Sequence, residues 1–169
     1  MSDIPILIVD AHDNPIGSAP KQQAWAEGLI HRIVRVMLED EHGNILLQHR
    51  DPSKELYPDR WDNSTAGHVD EGEDYDTAAS RELAEEVGIS GLPLTAIGSY
   101  YNETEWHGRK MYNFVKVYTT RISSATPMKL EAGKVDEVRW FTKEDAKRLA
   151  AEHPDHCTDG LVHVLTKFY

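Results

Sequence analysis

The chain has 169 residues, 40% of them hydrophobic and 28% charged, with a formal net charge of −11 and one cysteine, Cys157. That length suits one compact domain with its own core, and the acidic balance argues against loose binding to nucleic acid or to an anionic membrane surface. A single cysteine excludes an intrachain disulfide and points to a cytoplasmic location. No apolar run is long enough to span a membrane, and "MSDIPILIVDAHDN" has neither a basic region nor a cleavage-like site, so no signal peptide is expected.

In chain order, "ILIVDAHDNPIGSA" reads as a short strand, a turn at Asn14-Pro15 and a return strand. "HRIVRVMLED" and "NILLQHR" are β-like runs separated by "EHGN", a hairpin signal. Residues 50–66 carry two prolines and many polar residues and read as a loop. Residues 75–87 read as a helix that Gly88 ends. "LTAIGSYYNE" and "KMYNFVKVYTTRI" are strands joined by the polar "TEWHGR", and "VDEVRWF" is a further short strand. Thr142 is placed to cap a helix through about Glu152, and "GLVHVLTKFY" reads as a closing helix. There is no repeat and no linker. The mixture predicts a single α/β domain over 1–169, a mixed β-sheet covered by helices.

The helix read at 75–87 carries the chemistry. On a helix Glu82, Glu85 and Glu86 share one face, while Ala79, Leu83 and Val87 form an apolar stripe beside it that docks on the sheet. Arg81 is placed to pair with Glu85 four residues on. A solvated face is the ordinary reading of such charges. The wider stretch changes that reading. Gly67, Glu73, Arg81, Glu82, Leu83, Glu85, Glu86, Gly88 and Ile89 meet every fixed position of Gly-x5-Glu-x7-Arg-Glu-U-x-Glu-Glu-x-Gly-U, where U is aliphatic.

This pattern is the Nudix box, and the chain resembles a Nudix hydrolase. The resemblance implies an α/β/α sandwich and hydrolysis of a nucleoside diphosphate linked to another group X. It also implies a divalent cofactor, Mg²⁺ with Mn²⁺ as a substitute, since hard cations take carboxylate and carbonyl oxygens together with substrate phosphate oxygens. By resemblance, Glu82, Glu85, Glu86 and the carbonyl of Gly67 are the metal ligands and Glu73 supports them, while Arg81, paired with Glu85 by its spacing, is placed to orient that carboxylate. Glu82 is also a candidate to take the proton of the attacking water. Glu103, Glu105, His107, Glu131, Asp136 and Glu137 are bases to consider outside the box.

The stretch before the box resembles isopentenyl diphosphate isomerase, which shares the Nudix fold. Arg50, Lys54, Pro58 and Trp61 match it, followed by Asn63-Ser64 and Gly67-His68. Arg50 and Lys54 then correspond to residues that hold the diphosphate, as charge-assisted donors. The isomerase cysteine is replaced by Ala66. His31 and His68 correspond to two of its metal-binding histidines, Trp25 stands near a third, and its acidic ligands fall near Lys110, Met111 and Tyr112. The alternative for His68 is a loop histidine packed on Trp61. Markers of the ADP-ribose, NADH, dinucleoside polyphosphate and coenzyme A subclasses are absent. The expected function is hydrolysis of a small-molecule diphosphate substrate. An isoprenoid isomerase and a non-catalytic nucleotide-binding module are the alternatives. The N-terminal strand and C-terminal helix leave room for a homodimer.

Overall fold

The computed structural model describes residues 4–169. Its strands are β1 (Ile6–Val9), β2 (Pro15–Ala19), β3 (His31–Glu39), β4 (Ile45–Arg50), β5 (Trp61–Asp62), β6 (Thr65–His68), β7 (Thr95–Trp106), β8 (Arg109–Arg121) and β9 (Val135–Phe141). The helices are α1 (Lys21–Glu27), α2 (Tyr75–Val87), α3 (Lys143–Glu152) and α4 (Asp159–Phe168), with a 3₁₀ turn at Pro154–His156.

β3 is the centre. Its Ile33, Val34 and Val36 are β-branched residues that suit a pleated, covered surface. It pairs in parallel with β8 from His31↔Asn113 to Glu39↔Arg121, and antiparallel with β6 from Ile33↔His68 to Val36↔Thr65. Both faces of β3 are covered, so its apolar residues run almost without a break. Ile33 and Met37 pack toward α3 and α4 with Leu161, Val164 and Leu165. Val34, Val36 and Leu38 pack toward α2 with Ala79, Leu83 and Val87. The result is an α/β arrangement with a mixed sheet between helical layers. Leu83 is 2% exposed, and truncating such a residue to alanine costs about 2–5 kcal/mol.

α2 starts and stops as its sequence dictates. The Asp74 side chain accepts from the Thr77 N–H, and Gly88 adopts the left-handed conformation (φ 73°) with its N–H on the Ala84 and Leu83 carbonyls.

Four elements differ from the sequence expectation. The β3–β4 hairpin is joined only at Glu39↔Ile45, after which β4 leaves to pair with β9. The expected loop 50–66 contains β5 and the first half of β6, because Trp61 and Asp62 find partners on β4. The expected polar connection 104–109 is mostly strand: β7 and β8 pair as far as Trp106↔Arg109, and only His107 and Gly108 turn. Finally, α1 is a seven-residue helix, too short to display a helical period in sequence.

Candidate active site

The acids of α2 are not a solvated face. Glu82 and Glu86 are 8% and 4% exposed, whereas the Glu85 side chain is 43% exposed. One guanidinium organises them. Arg81 donates from Nε to Glu73 (2.7 Å), from Nη1 to Glu82 (2.9 Å) and Glu85 (3.2 Å), and from Nη2 to Glu73 and to the carbonyl of His68 (both 2.9 Å). The Asp70 carboxylate lies 3.4 Å from the same guanidinium. Glu73 also accepts from the Asp70 N–H. The expected Arg81–Glu85 pair is therefore one arm of a hub that ties α2 to the loop before it and to the end of β6.

β6 supplies the opposite wall. A Cβ on Gly67 would lie 2.1 Å from Oε1 of Glu82, so only glycine lets the carboxylate approach this backbone. Oε1 of Glu86 accepts from the Ala66 N–H (3.0 Å) and from Nε2 of Gln48 (3.2 Å). Glu86 has no ion pair among the described residues. Burial is the main cause that pushes both carboxyl groups up; the Glu85 charge adds to it at Glu82, and the Glu82 charge adds to it at Glu86. Two buried, hydrogen-bonded carboxylates form an oxygen donor set that suits a hard divalent cation. Glu82 and Glu86, with Glu85 at the rim and the Gly67 carbonyl, fit such an ion.

Cations face this wall. Lys54 is half-buried and forms no ion pair among the described residues. Burial and the nearby Arg50 charge push its pKa down, while Glu86 acts in the opposite sense. Lys134 is held by Glu131 (3.1 Å) and lies in the field of Glu82 and Glu86. Arg50, by contrast, is committed. Its Nε donates to the carbonyls of Leu56 and Tyr57, Nη2 to Leu56, and Nη1 to Asp62. Arg50 thus fixes the 51–60 loop that presents Lys54. Gln48 and Lys134 carried no sequence signal as site residues, since neither lies in a recognisable pattern.

The acids outside the box separate clearly. Glu103 and Glu105 stand on β7, Asp136 faces His49 and Glu137 faces Arg139. Glu131 runs beside the box: its N–H donates to the Glu86 carbonyl (3.0 Å), and one of its carboxylate oxygens is buried without a partner.

On the far side of Gly67 lies a second group of side chains. The His68 ring is flanked by Trp25 (5.8 Å) and His31 (5.4 Å). It does not pack on Trp61, which sits against His49 and Phe141. The β3–β8 register puts Asn113 beside His31. The residue that accompanies the histidines is thus an amide at 113, beyond the 110–112 expected from the isomerase pattern. Nε1 of Trp25, Nε2 of His31 and Oδ1 of Asn113 are all buried with no hydrogen-bond partner. Each such group costs about 1–3 kcal/mol. An indole N–H cannot ligate a metal and an amide carries no charge, so this set does not fit the isomerase histidine–carboxylate metal site. Cys157 offers no substitute for the missing cysteine at Ala66: it is buried in the α3–α4 core, where burial pushes its thiol up to about 11.

The NUDIX domain family model matches residues 29–159, from the strand before the site through the start of α4. The chain belongs to the Nudix family. As a Nudix enzyme it is a hydrolase acting on pyrophosphate bonds, and its family's enzymes generally need divalent metal ions. An uncharacterised Nudix hydrolase of Pseudomonas aeruginosa is 34% identical over 156 residues, 92% of this chain and 88% of the relative. An isopentenyl-diphosphate Δ-isomerase of Photorhabdus laumondii is 32% identical, over 89% of this chain and 84% of the relative. The Nudix fold is shared with a crystal structure of a Deinococcus radiodurans protein, with a TM-score of 0.80 at 23% identity, covering 98% and 99% of the two chains. Among the described residues no helix is long and apolar enough to cross a membrane.

Proposed function

We propose that this chain is a cytoplasmic, single-domain pyrophosphohydrolase that cleaves the diphosphate linkage of a nucleoside diphosphate-X or related organic diphosphate, with Mg²⁺ or Mn²⁺. The observation that carries this reading is the buried Glu82–Glu86 pair, with Glu82 held by Arg81 against Gly67 and Glu86 held by the Ala66 N–H and Gln48. When bound, the divalent ion supplies charge neutralisation of the diphosphate and Lewis acidity. Glu82, Glu85, Glu86 and the Gly67 carbonyl would hold it.

The chain's own residues do the rest. Lys54 contacts the diphosphate as a charge-assisted donor, and Arg50 acts on the same group by fixing the loop that carries Lys54. Lys134 balances the acids from the other side. Arg81 keeps Glu82 and Glu85 in one arrangement. Water attacks phosphorus, the bridging P–O bond breaks, and the water's proton passes to Glu82. Burial raises the proton affinity of that carboxyl toward the working range of a general base.

The test is a phosphate-release screen of the purified chain with Mg²⁺ or Mn²⁺. Its substrates are nucleoside di- and triphosphates, nucleotide sugars, ADP-ribose, NADH, coenzyme A and prenyl diphosphates, with Glu85→Gln and Glu86→Gln as controls. The expected result is metal-dependent turnover that falls at least about 100-fold in Glu86→Gln. Isotope exchange into isopentenyl diphosphate without phosphate release would replace this reading with the isomerase. Tight nucleotide binding without turnover would replace it with a binding module.

A further inference from the structure

The turn between α3 and α4 gathers a second set of metal-ligating side chains, apart from the acids of α2. His153, Asp155 and His156 are all exposed, and their ligand atoms lie within 4.8 Å of one another. Among the described residues, no other three side chains of histidine, cysteine, aspartate or glutamate bring their ligand atoms this close.

The backbone explains the convergence. Pro154 has a fixed φ and no N–H, so it suits the first position of the 3₁₀ turn Pro154–His156. Residues three apart eclipse one another on such a turn, and the rings of His153 and His156 are stacked, 4.9 Å apart at 11°. The Asp155 carboxylate lies 3.8 Å from Nε2 of His156. The turn is anchored beneath these side chains. The His153 N–H donates to the Leu149 carbonyl (2.8 Å), the His156 N–H to the His153 carbonyl (2.9 Å) and the Cys157 N–H to the Pro154 carbonyl (3.1 Å). Cys157 is buried, and the Thr158 N–H donates to the Trp61 carbonyl (2.9 Å). The backbone is thus held to the core while the three side chains stand in water. Among the described residues, none of the three makes a side-chain hydrogen bond elsewhere in the chain, so their ligand atoms are open to an ion.

This donor set differs in kind from the α2 acids. Two imidazoles and a carboxylate suit a borderline divalent transition metal such as Zn²⁺, Ni²⁺ or Cu²⁺, whereas Mg²⁺ prefers oxygen. Two ligands of one such ion stand roughly 3–3.5 Å apart. The side chains close to that spacing by small rotations, which exposed rotamers permit.

We propose that His153, Asp155 and His156 bind one borderline divalent transition-metal ion at the α3–α4 joint, with water in the remaining coordination positions. The site is separate from the cation of the α2 acids and does not rest on the diphosphatase reading.

Calorimetric titration of the full chain with Zn²⁺, in excess Mg²⁺ to occupy the α2 acids, tests it. One saturable binding event per chain is expected. Its affinity is expected to fall at least about tenfold in each of His153→Ala, His156→Ala and Asp155→Ala, since even an outer partner of a metal ligand is worth about 10–100-fold. Glu86→Gln and His42→Ala, the latter at an exposed histidine elsewhere, are expected to keep the wild-type affinity. The ring signals of His153 and His156 in NMR spectra are expected to shift on addition of Zn²⁺ before those of the other histidines. Without metal, the three alanine variants are expected to keep the wild-type Tm, because they alter exposed side chains only. Absence of Zn²⁺ binding would overturn the proposal. Loss of binding in Glu86→Gln with the histidine variants unaffected would overturn it by assigning the ion to the α2 acids. An equal loss in His42→Ala would overturn it by showing that scattered surface histidines suffice.

Discussion

The two sides of Gly67 are built on opposite principles. On one side, Glu82, Glu85 and Glu86 come from a single helix, carry charge, and are tied together by Arg81. On the other, Trp25, His31 and Asn113 come from three elements, carry no charge, and are tied to nothing through the atoms that matter. The first side is rigid before any ligand arrives, since its geometry is held by hydrogen bonds to Arg81, Ala66 and Gln48. The second is held only by packing. A charged platform needs fixed hydrogen bonds because unpaired like charges repel strongly in a low dielectric, whereas a buried neutral group without a partner carries a moderate cost.

The contrast can be broken most severely at Gly67→Ala. The added Cβ would fall within 2.1 Å of Glu82, so the carboxylate must move. Steady-state assay is expected to find a loss in kcat of at least about 100-fold, and calorimetry a stability loss of about 1–3 kcal/mol.

Lys54→Met tests the cationic edge of the charged side. KM is expected to rise about tenfold or more, a charge-assisted contact being worth about 1.5–3 kcal/mol, with Tm nearly unchanged. Arg50→Met is expected to lower both Tm and affinity, since it frees the Leu56 and Tyr57 carbonyls and leaves Asp62 short of a partner. Equal behaviour of the two variants would erase the distinction between the contacting lysine and the loop-fixing arginine.

A smaller effect sharpens the electrostatic half. Glu82 and Glu86 have folded pKa values above the ordinary 4.5, so the folded state holds more protons than the unfolded one as pH rises from there into the neutral range. Stability of the metal-free protein is lost over that interval. His31 and His68 are pushed below 6.5 by burial; their contribution is lost as pH falls, and opposes the carboxyl effect only below 6.5. Thermal melts with chelator are therefore expected to show Tm falling from pH 6.5 to 8, by less in Glu86→Gln. Adding Mg²⁺ is expected to restore more Tm at pH 8 than at pH 6.5, because binding requires the ionised carboxylates. A Tm of the chelated protein that rises over this interval would contradict the assigned shifts.

The charged side was legible because its chemistry is local. Three acids within five positions and a terminal Gly88 define both helix and face, and the apolar stripe of Ala79, Leu83 and Val87 lies where its spacing puts it. The exposure of Glu85 against the burial of Glu86 was not legible, since it depends on β6 and Gln48 closing over one and not the other. The neutral side was partly visible as His31, His68 and Trp25, through resemblance. Asn113 was missed because its role is set by a parallel register across distant strands, which no local pattern encodes. The connection expected at 104–109 failed for a related reason: polar Thr104, Glu105 and Arg109 sit on partly exposed strands, where polarity does not report secondary structure.

The β3–β8 ladder also bears on the order of assembly. His31 and Asn113 lie in a register that joins residues 82 positions apart along the chain. Parallel pairing over such a span closes a long loop and is intrinsically slow, whereas α2 and its acids form within one helix. A molecule caught before β8 docks would carry its carboxylates on a nascent α2 and would not yet have His31 and Asn113 side by side. During synthesis, the acids would therefore share a helix before the sheet that frames them is complete.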